Sequence, residues 1–140
     1  MLCHFQSHLH SLKALCIQPD LNQIRFQDFW QDVIQQSHAI ESLSQQSWAL
    51  WEPDSYQFLV LLFAALLAKK QVLLPPNRVS DLEKELAEQN IYFLQSQSVS
   101  LAQNQNIELN LDDAFLHQAK IYFYTSGSTG QPKKIPRTLR

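Results

Sequence analysis

Glycine is scarce in this chain, which contains only two, Gly127 and Gly130, among its 140 residues. An ordinary composition runs at about 7% glycine, so roughly ten would be expected. Both glycines lie in one stretch, Lys120 to Lys134, together with four serine and threonine residues. The wide range of backbone conformations that glycine allows is therefore available in this stretch only.

Cysteine and long apolar runs are also scarce. Cys3 and Cys16 can pair only once, and the N-terminus MLCHFQSHLHSLK has no uninterrupted apolar core of the kind a secretory signal needs. We therefore expect free thiols in a reducing, cytoplasmic setting. The longest apolar run, Phe58 to Ala68, is 11 residues, whereas a membrane span needs about 20. No membrane span is predicted, and the run is interpreted as a helix buried on every side.

Charge of either sign is limited, because 11 basic and 13 acidic residues give a formal net charge of -2. This balance does not indicate a nucleic-acid partner. The basic residues are uneven, however, since the last eight positions include Lys133, Lys134, Arg137 and Arg140. The C-terminal end is therefore expected to attract anions.

Short apolar runs alternate with longer segments of helical period, which indicates an α/β sheet with parallel crossovers. The first helix is predicted from Phe26 to about Leu43 by its three- and four-residue repeat. Asp54 is expected to cap a second helix, which continues through the apolar run to Lys69–Lys70. Ser80 and Glu83 have the spacing of a capping box for a third.

The predicted strands are short and are bounded by turn residues. A hairpin is expected over residues 12–26, around Pro19 and Asp20. Residues 95–110, rich in Gln, Asn and Ser, are predicted to form a loop or a weak strand pair. The remaining strands are expected at 48–51, 71–75, 91–94 and 120–124.

The glycine stretch has the chemistry of a polyphosphate site. Hydroxyl donors are supplied by Thr125, Ser126, Ser128 and Thr129, while Lys133 adds a mobile cation. Gly127 and Gly130 allow positive φ and close approach of a ligand, and successive amides in such a turn converge on an anion. The spacing is not that of a Walker A loop or a dinucleotide fingerprint, whose glycine patterns differ. The alternative is a flexible surface loop.

The stretch YTSGSTGQPKK resembles the phosphate-loop signature of the adenylate-forming superfamily, which includes acyl- and aryl-CoA synthetases, peptide-synthetase adenylation domains and luciferases. The match is unbroken from Tyr124 to Lys133. Two upstream segments, IRFQDFW (24–30) and LLFAALLAKKQVLLPPN (61–77), are similar to family motifs in the same order. The resemblance covers nearly the whole chain, with residues 95–115 contributing least.

Two positions depart from the family pattern, and in both a glycine is missing. The helix-to-strand turn contains Lys69, Lys70 and Gln71 instead. A glycine after a helix relieves left-handed strain, so we expect this turn to use another geometry. The glycine that normally follows Pro-Lys is replaced by Lys134, which we interpret as a subgroup feature compatible with phosphate binding.

The resemblance implies an ATP-dependent ligase that activates a carboxylic acid in two steps. The acid carboxylate attacks the α-phosphate of ATP, which gives an acyl-adenylate and pyrophosphate. The thiol of coenzyme A or of a carrier-protein phosphopantetheine then takes the acyl group. The same resemblance implies that Mg²⁺ lies near the β- and γ-phosphates. It also implies that these phosphates are bound by the residues Thr125, Ser126, Gly127, Ser128, Thr129, Gly130 and Lys133.

The implied fold is a partial, mostly parallel sheet with flanking helices, the N-terminal part of the large domain of an adenylate-forming enzyme. Residues 1–140 would be this N-terminal portion, 125–134 its phosphate-binding loop, and 135–140 a mobile truncated tail. The family's acyl and adenine pockets, acidic metal residues and catalytic lysine lie further downstream. We therefore assign no catalytic or metal-binding residue here and expect this chain alone to be inactive.

Two other functions are compatible with the sequence. One is a stand-alone phosphate- or nucleotide-binding module, and the other is a non-catalytic interaction fragment. The strand at 120–124 would lack neighbours from later sequence, and an unprotected edge favours self-association.

Several polar residues have both a plain and a functional interpretation. The segment with Cys3, His4, His8 and His10 is either incidental or a transition-metal site. The pair Asp112–Asp113 is either a turn or a metal pair. His38 and His117 are interpreted as surface or capping residues. The three tryptophans, Trp30, Trp48 and Trp51, are predicted to pack in the core.

Overall fold

The computed structural model describes residues 16–17, 23–96, 113–126 and 132–138. Strands alternate with helices along this part of the chain. The strands are β1 (Cys16–Ile17), β2 (Gln23–Ile24), β3 (Ser47–Ala49), β4 (Gln71–Leu74), β5 (Tyr92–Phe93), β6 (Ile121–Ser126) and β7 (Pro132–Arg137). The helices are α1 (Phe26–Glu41), α2 (Ser55–Leu67), α3 (Ser80–Glu88) and α4 (Asp113–Gln118).

Five of the strands form one sheet, in the order β5-β3-β4-β6-β7. The pairings of β3 with β4, β3 with β5 and β4 with β6 are parallel, whereas β6 and β7 pair antiparallel. The mostly parallel α/β sheet is therefore confirmed. The N-terminal hairpin is also confirmed, because β1 and β2 pair antiparallel with Cys16 opposite Ile24.

The sheet has a hydrophobic core on each face, because successive strand residues point to opposite sides. Val72 belongs to a core formed with α1 and α2, whereas its neighbour Leu73 packs with Leu82 and Leu86 of α3. Trp48 and Ala49 of β3 divide between the two cores in the same way. The fold is thus three layers, with α1 and α2 on one side of the sheet and α3 on the other.

Aromatic rings join α1 to α2. Phe63 of α2 lies edge-on to Phe29 and Trp30 of α1, with ring centroids 6.1 Å and 5.6 Å away. Such edge-to-face pairs are favoured by the ring quadrupole. The Tyr56 hydroxyl also donates a hydrogen bond to a carboxylate oxygen of Asp32. The helical repeat that begins at Phe26 is therefore confirmed as the core-facing side of α1.

Asp54 caps α2 as the sequence predicts, since its carboxylate accepts a hydrogen bond from the Gln57 amide at 2.7 Å. The helix is not buried on every side, however. Val60, Leu61 and Ala64 are fully enclosed, whereas Leu59 and Leu62 remain partly exposed. That expectation was wrong because α1 and the sheet cover only part of the helix surface.

The expected alternative geometry at the end of α2 is wrong. Lys69 has φ 57°, the left-handed conformation that a glycine usually adopts there. Its amide donates to the Leu66 carbonyl at 3.0 Å, and the Lys70 amide donates to the Ala65 carbonyl at 2.9 Å. This hydrogen-bond pattern is a Schellman motif. The buried Lys70 side chain reaches the Leu43 carbonyl, 2.8 Å from its Nζ.

The predicted capping box at the start of α3 is also wrong. Val79 is the N-cap, and Ser80 is already the first helical residue. Glu83 does not return to the helix start, because its carboxylate accepts a hydrogen bond from Arg78 Nε at 2.7 Å. At its other end α3 repeats the Schellman motif, with Asn90 at φ 59°.

Two expectations about the C-terminal region change as well. Strand β6 is not a sheet edge, because β4 pairs with one side and β7 with the other. Residues 135–137 belong to β7 rather than to an undocked tail, since Ile135 pairs with Phe123.

The helix α4 was not predicted, and Asp113 is its first residue. Residues 97–110 of the predicted loop or weak strand pair at 95–110 lie outside the described residues.

Candidate phosphate-binding hairpin

The glycine stretch connects two paired strands. Thr125 lies opposite Lys133, and Ser126 lies opposite Pro132, in the antiparallel register of β6 and β7. Three of the predicted site residues, Thr125, Ser126 and Lys133, are therefore at the two ends of one hairpin. The other four, Gly127 to Gly130, lie outside the described residues, as do the side chains of those three.

In the sequence, the glycine stretch follows β6, which ends at the carboxyl edge of the sheet, the side where the parallel strands end and where parallel-sheet proteins bind ligands. Strands β3, β4 and β6 run in the same direction and end at Ala49, Leu74 and Ser126. Ligands of open α/β sheets bind beyond the carboxyl ends of such strands. Ser126, the last residue of β6, lies at that edge, and the glycine stretch follows it directly in the sequence.

A cleft of about 400 Å³ lies at the same edge. Its walls are mostly apolar and include Trp51, Phe58 and Phe123, with Glu52 as the carboxylate among the lining residues. Trp51 and Phe123 are 39% and 44% exposed. The assignment of Trp51 to packing is therefore wrong, whereas Trp30 and Trp48 are buried as expected. The Pro75–Pro76 pair after β4 also lines this cleft.

Tyr124 anchors the hairpin from within the sheet. It is 8% exposed, and its hydroxyl donates a hydrogen bond to Glu85 Oε1 of α3 at 2.7 Å. Burial raises the pKa of Tyr124 to about 12, and the hydrogen bond to Glu85 and the negative charge of that carboxylate act in the same direction. The phenol therefore stays protonated at neutral pH and remains a hydrogen-bond donor.

The returning strand is basic and proline-containing. Lys134 and Arg137 are exposed on β7, and Lys134 Nζ donates a hydrogen bond to Gln89 Oε1 at 2.8 Å. Pro132 and Pro136 have no amide hydrogen to offer a further strand. Prolines and lysines are the residues by which natural sheet edges resist pairing with other chains. Strand β7 therefore protects the sheet edge that β6 was expected to expose.

The described residues contain neither a metal-binding cluster nor a helix that could span a membrane. Within residues 25–96 and the described parts of 113–138, no group of three or more His, Cys, Asp or Glu side chains is arranged to hold a metal ion. The Cys3–His10 segment and Asp112 lie outside the described residues. His38 is exposed in the last turn of α1, and His117 lies in the last turn of α4. No helix in the described part of the chain has the length and apolarity to span a membrane.

Comparison with solved structures shows similarity to the N-terminal domains of adenylate-forming enzymes. One is the inhibitor-bound N-terminal domain of FACL13 from Mycobacterium tuberculosis, with a TM-score of 0.60 and 17% identity over 99% of this chain and 43% of that one. Another is McyG A-PCP complexed with phenylalanyl-adenylate, with a TM-score of 0.53 and 16% identity over 97% of this chain and 27% of that one.

This similarity is one of fold, since the identities are low. The chain spans less than half the length of either protein. No protein-family model matches the chain, and no curated protein matches its sequence significantly.

Proposed function

We propose that this chain is the N-terminal portion of an ATP-dependent carboxylic acid ligase. We further propose that the glycine hairpin, by which we mean β6, β7 and the residues 127–131 between them, binds the β- and γ-phosphates of ATP. One observation carries the proposal. A motif with the composition of a phosphate cradle connects β6 to β7, at the carboxyl edge of a sheet whose fold is similar to adenylate-forming enzymes.

The chemistry of the hairpin fits a triphosphate. Gly127 and Gly130 leave space for the phosphate oxygens, and hydroxyls at four positions, together with backbone amides, are donors of the kind that bind them. Lys133 offsets phosphate charge. Mg²⁺, bound together with the nucleotide, would neutralise further charge on the leaving pyrophosphate. The hydroxyl donors are Thr125, Ser126, Ser128 and Thr129.

The remaining parts of the reaction are assigned to the sequence that such enzymes have beyond this portion. The carboxylic acid is the small-molecule partner, and the acceptor thiol belongs to coenzyme A or to a carrier-protein phosphopantetheine. We propose that the chain by itself binds nucleotide but does not form acyl-adenylate. The cytoplasmic setting inferred from the two cysteines stays a prediction.

The interaction-fragment alternative has lost its main support. It required an open edge on β6, and β7 covers that edge with residues from Pro132 to Arg137. The alternative of a stand-alone phosphate-binding module makes the same prediction for nucleotide binding. It differs only in whether further sequence supplies the chemistry.

Titration of the isotope-labelled chain with ATP and Mg²⁺ tests the proposal. We expect amide chemical-shift changes and slower hydrogen exchange over residues 126–130, and we expect Gly130→Val to abolish them because a branched side chain occupies the phosphate space. Ser96→Ala, an exposed hydroxyl outside the hairpin, is the matched control. Shift changes that spare 126–130, or that persist in Gly130→Val, would contradict phosphate binding by this hairpin.

ATP–pyrophosphate exchange tests the second part of the proposal. We expect the 140-residue chain to show no exchange above background with any carboxylic acid, because the hairpin supplies phosphate binding alone. Exchange well above background would overturn this expectation and would place a complete adenylation site within the chain.

A further inference from the structure

Helix α3 and its C-cap residue contact both strands of the glycine hairpin, at two residues that pair with each other across the strands. The Tyr124 hydroxyl on β6 donates to Glu85 Oε1, and Lys134 Nζ on β7 donates to Gln89 Oε1. Tyr124 and Lys134 are direct partners in the antiparallel register. They lie one residue outside the Thr125–Lys133 pair, where the predicted phosphate loop begins.

The two contacts lie on one side of α3 and its C-cap. Gln89 is the C-cap residue, four positions after Glu85, and residues with this spacing are neighbours on a helix surface. Directly opposed residues of an antiparallel pair are also neighbours, with Cβ atoms about 4.5–5.5 Å apart. Two adjacent acceptors on the helix therefore meet two adjacent donors on the hairpin. A single contact would leave the second strand unattached to the helix.

We propose that these four residues form a clamp by which α3 fixes the mouth of the glycine hairpin, and that they act as positioning residues for the anion it binds. The clamp residues are Glu85, Gln89, Tyr124 and Lys134. The inference rests on the proposed function for its ligand, but the clamp itself is defined by contacts within the protein.

The clamp also explains a departure from the family pattern. Where that pattern has a glycine, this chain has Lys134, whose ammonium reaches Gln89 across 45 positions of sequence. A glycine at this position has no side chain to make such a contact. The extra side chain is therefore a second attachment point for β7 rather than a neutral replacement.

The two contacts differ in strength. The Tyr124–Glu85 bond is partly buried and has an ionised acceptor, so it is stronger than a bond between neutral groups. The Lys134–Gln89 bond is exposed, and exposed polar pairs contribute little. We therefore expect Tyr124→Phe to weaken ATP–Mg²⁺ binding about tenfold and Lys134→Ala about twofold to threefold.

A direct role for Lys134 in phosphate binding is the competing explanation, and Gln89 separates the two. Gln89→Ala removes the clamp contact but leaves the Lys134 charge in place. The clamp predicts that Gln89→Ala and Lys134→Ala weaken binding equally, and that the double variant is no weaker than either. Full affinity in Gln89→Ala with reduced affinity in Lys134→Ala would overturn the role of that contact.

The central experiment measures affinity for ATP–Mg²⁺ and amide hydrogen exchange at Thr125, Ser126 and Lys133 in the full chain. Tyr56→Phe is the matched control for Tyr124→Phe, because it also removes a tyrosine-to-carboxylate hydrogen bond but on the opposite face of the sheet. The clamp predicts faster exchange at those amides and lower affinity in Tyr124→Phe only. Glu85→Gln, which keeps an acceptor oxygen, should retain most of the affinity.

Two results separate the clamp from the proposed function. If Tyr56→Phe and Tyr124→Phe change exchange and affinity equally, the effect is general destabilisation and the clamp is refuted. If the unmodified chain does not bind ATP–Mg²⁺ but Tyr124→Phe alone speeds exchange at the hairpin mouth, the clamp stands and the proposed function fails.

Discussion

Tyr124 should make the stability of this chain depend on alkaline pH. The residue is largely buried, its hydroxyl donates a partly buried hydrogen bond to Glu85, and this environment raises the pKa of Tyr124 from 10.0 to about 12. In the unfolded chain the phenol ionises at its ordinary pKa of about 10. Between these two values the unfolded state loses the proton while the folded state keeps it. The free energy of unfolding must therefore fall as pH rises through this window.

The size of the effect follows from the difference between the two pKa values. One pKa unit corresponds to about 1.4 kcal/mol, so a difference of about two units sets an upper limit of about 3 kcal/mol between pH 10 and 12. Because the hydrogen bond to Glu85 is only partly buried, solvent screening makes the actual loss smaller than this limit. Below pH 10 the contribution is fully present, and above pH 12 it is lost. For a domain whose stability is of the order of 5–15 kcal/mol, this loss is readily measurable.

Urea denaturation at a series of pH values from 8 to 12 checks this prediction. Other groups titrate in the same range, so the decisive quantity is the difference in slope between the unmodified chain and Tyr124→Phe. The control is Tyr92→Phe, which alters an exposed ring on the edge strand β5. A pH slope that Tyr124→Phe leaves unchanged, or tyrosinate absorbance showing four tyrosines that ionise together near pH 10, would refute the reasoning.

Three further predictions concern stability and are measured by denaturant unfolding. Lys69→Gly should stabilise the chain by about 1 kcal/mol, since Lys69 adopts the left-handed conformation that glycine tolerates better; a loss of stability would mean that its side chain makes a compensating contact. Asp54→Ala should cost about 1 kcal/mol by leaving the Gln57 amide uncapped, and Asp54→Ser should restore most of it. Leu61→Ala should cost about 2–5 kcal/mol, because Leu61 is fully buried in the α1–α2 core, whereas the partly exposed Leu62→Ala should cost less.

Features that depend on local chemistry were predictable from the sequence. The cap at Asp54 needs only a carboxylate three residues before an amide, and the repeat from Phe26 needs only its spacing. The alternation of short strands with helices gave the α/β class because each segment has its own period. For the same reason, the glycine stretch was recognisable without any knowledge of what surrounds it.

Features that depend on distant partners were not predictable in this way. Strand β7 contains Pro132 and Pro136, which argue against a strand when considered alone, yet pairing with β6 stabilises it. Glu83 has the capping-box spacing, but Arg78 competes for its carboxylate. The contact of Lys134 with Gln89 joins residues far apart in sequence. In each case a competing partner decides the local conformation.

The chain has lysines at the two positions where the family pattern that it resembles has glycine, and the two replacements have a common physical consequence. At each position a lysine stands in place of the conformationally freer glycine. At or next to that position, a lysine ammonium donates a hydrogen bond to an oxygen of another segment. After α2, Lys69 adopts the glycine-like conformation itself while Lys70 contacts the Leu43 carbonyl, and on β7 Lys134 contacts Gln89. The chain therefore accepts local strain at Lys69 but gains attachment between elements. Because the Lys134–Gln89 contact lies beside the glycine hairpin, rigidity at the mouth of the hairpin is the property that a Lys134→Gly variant should lose.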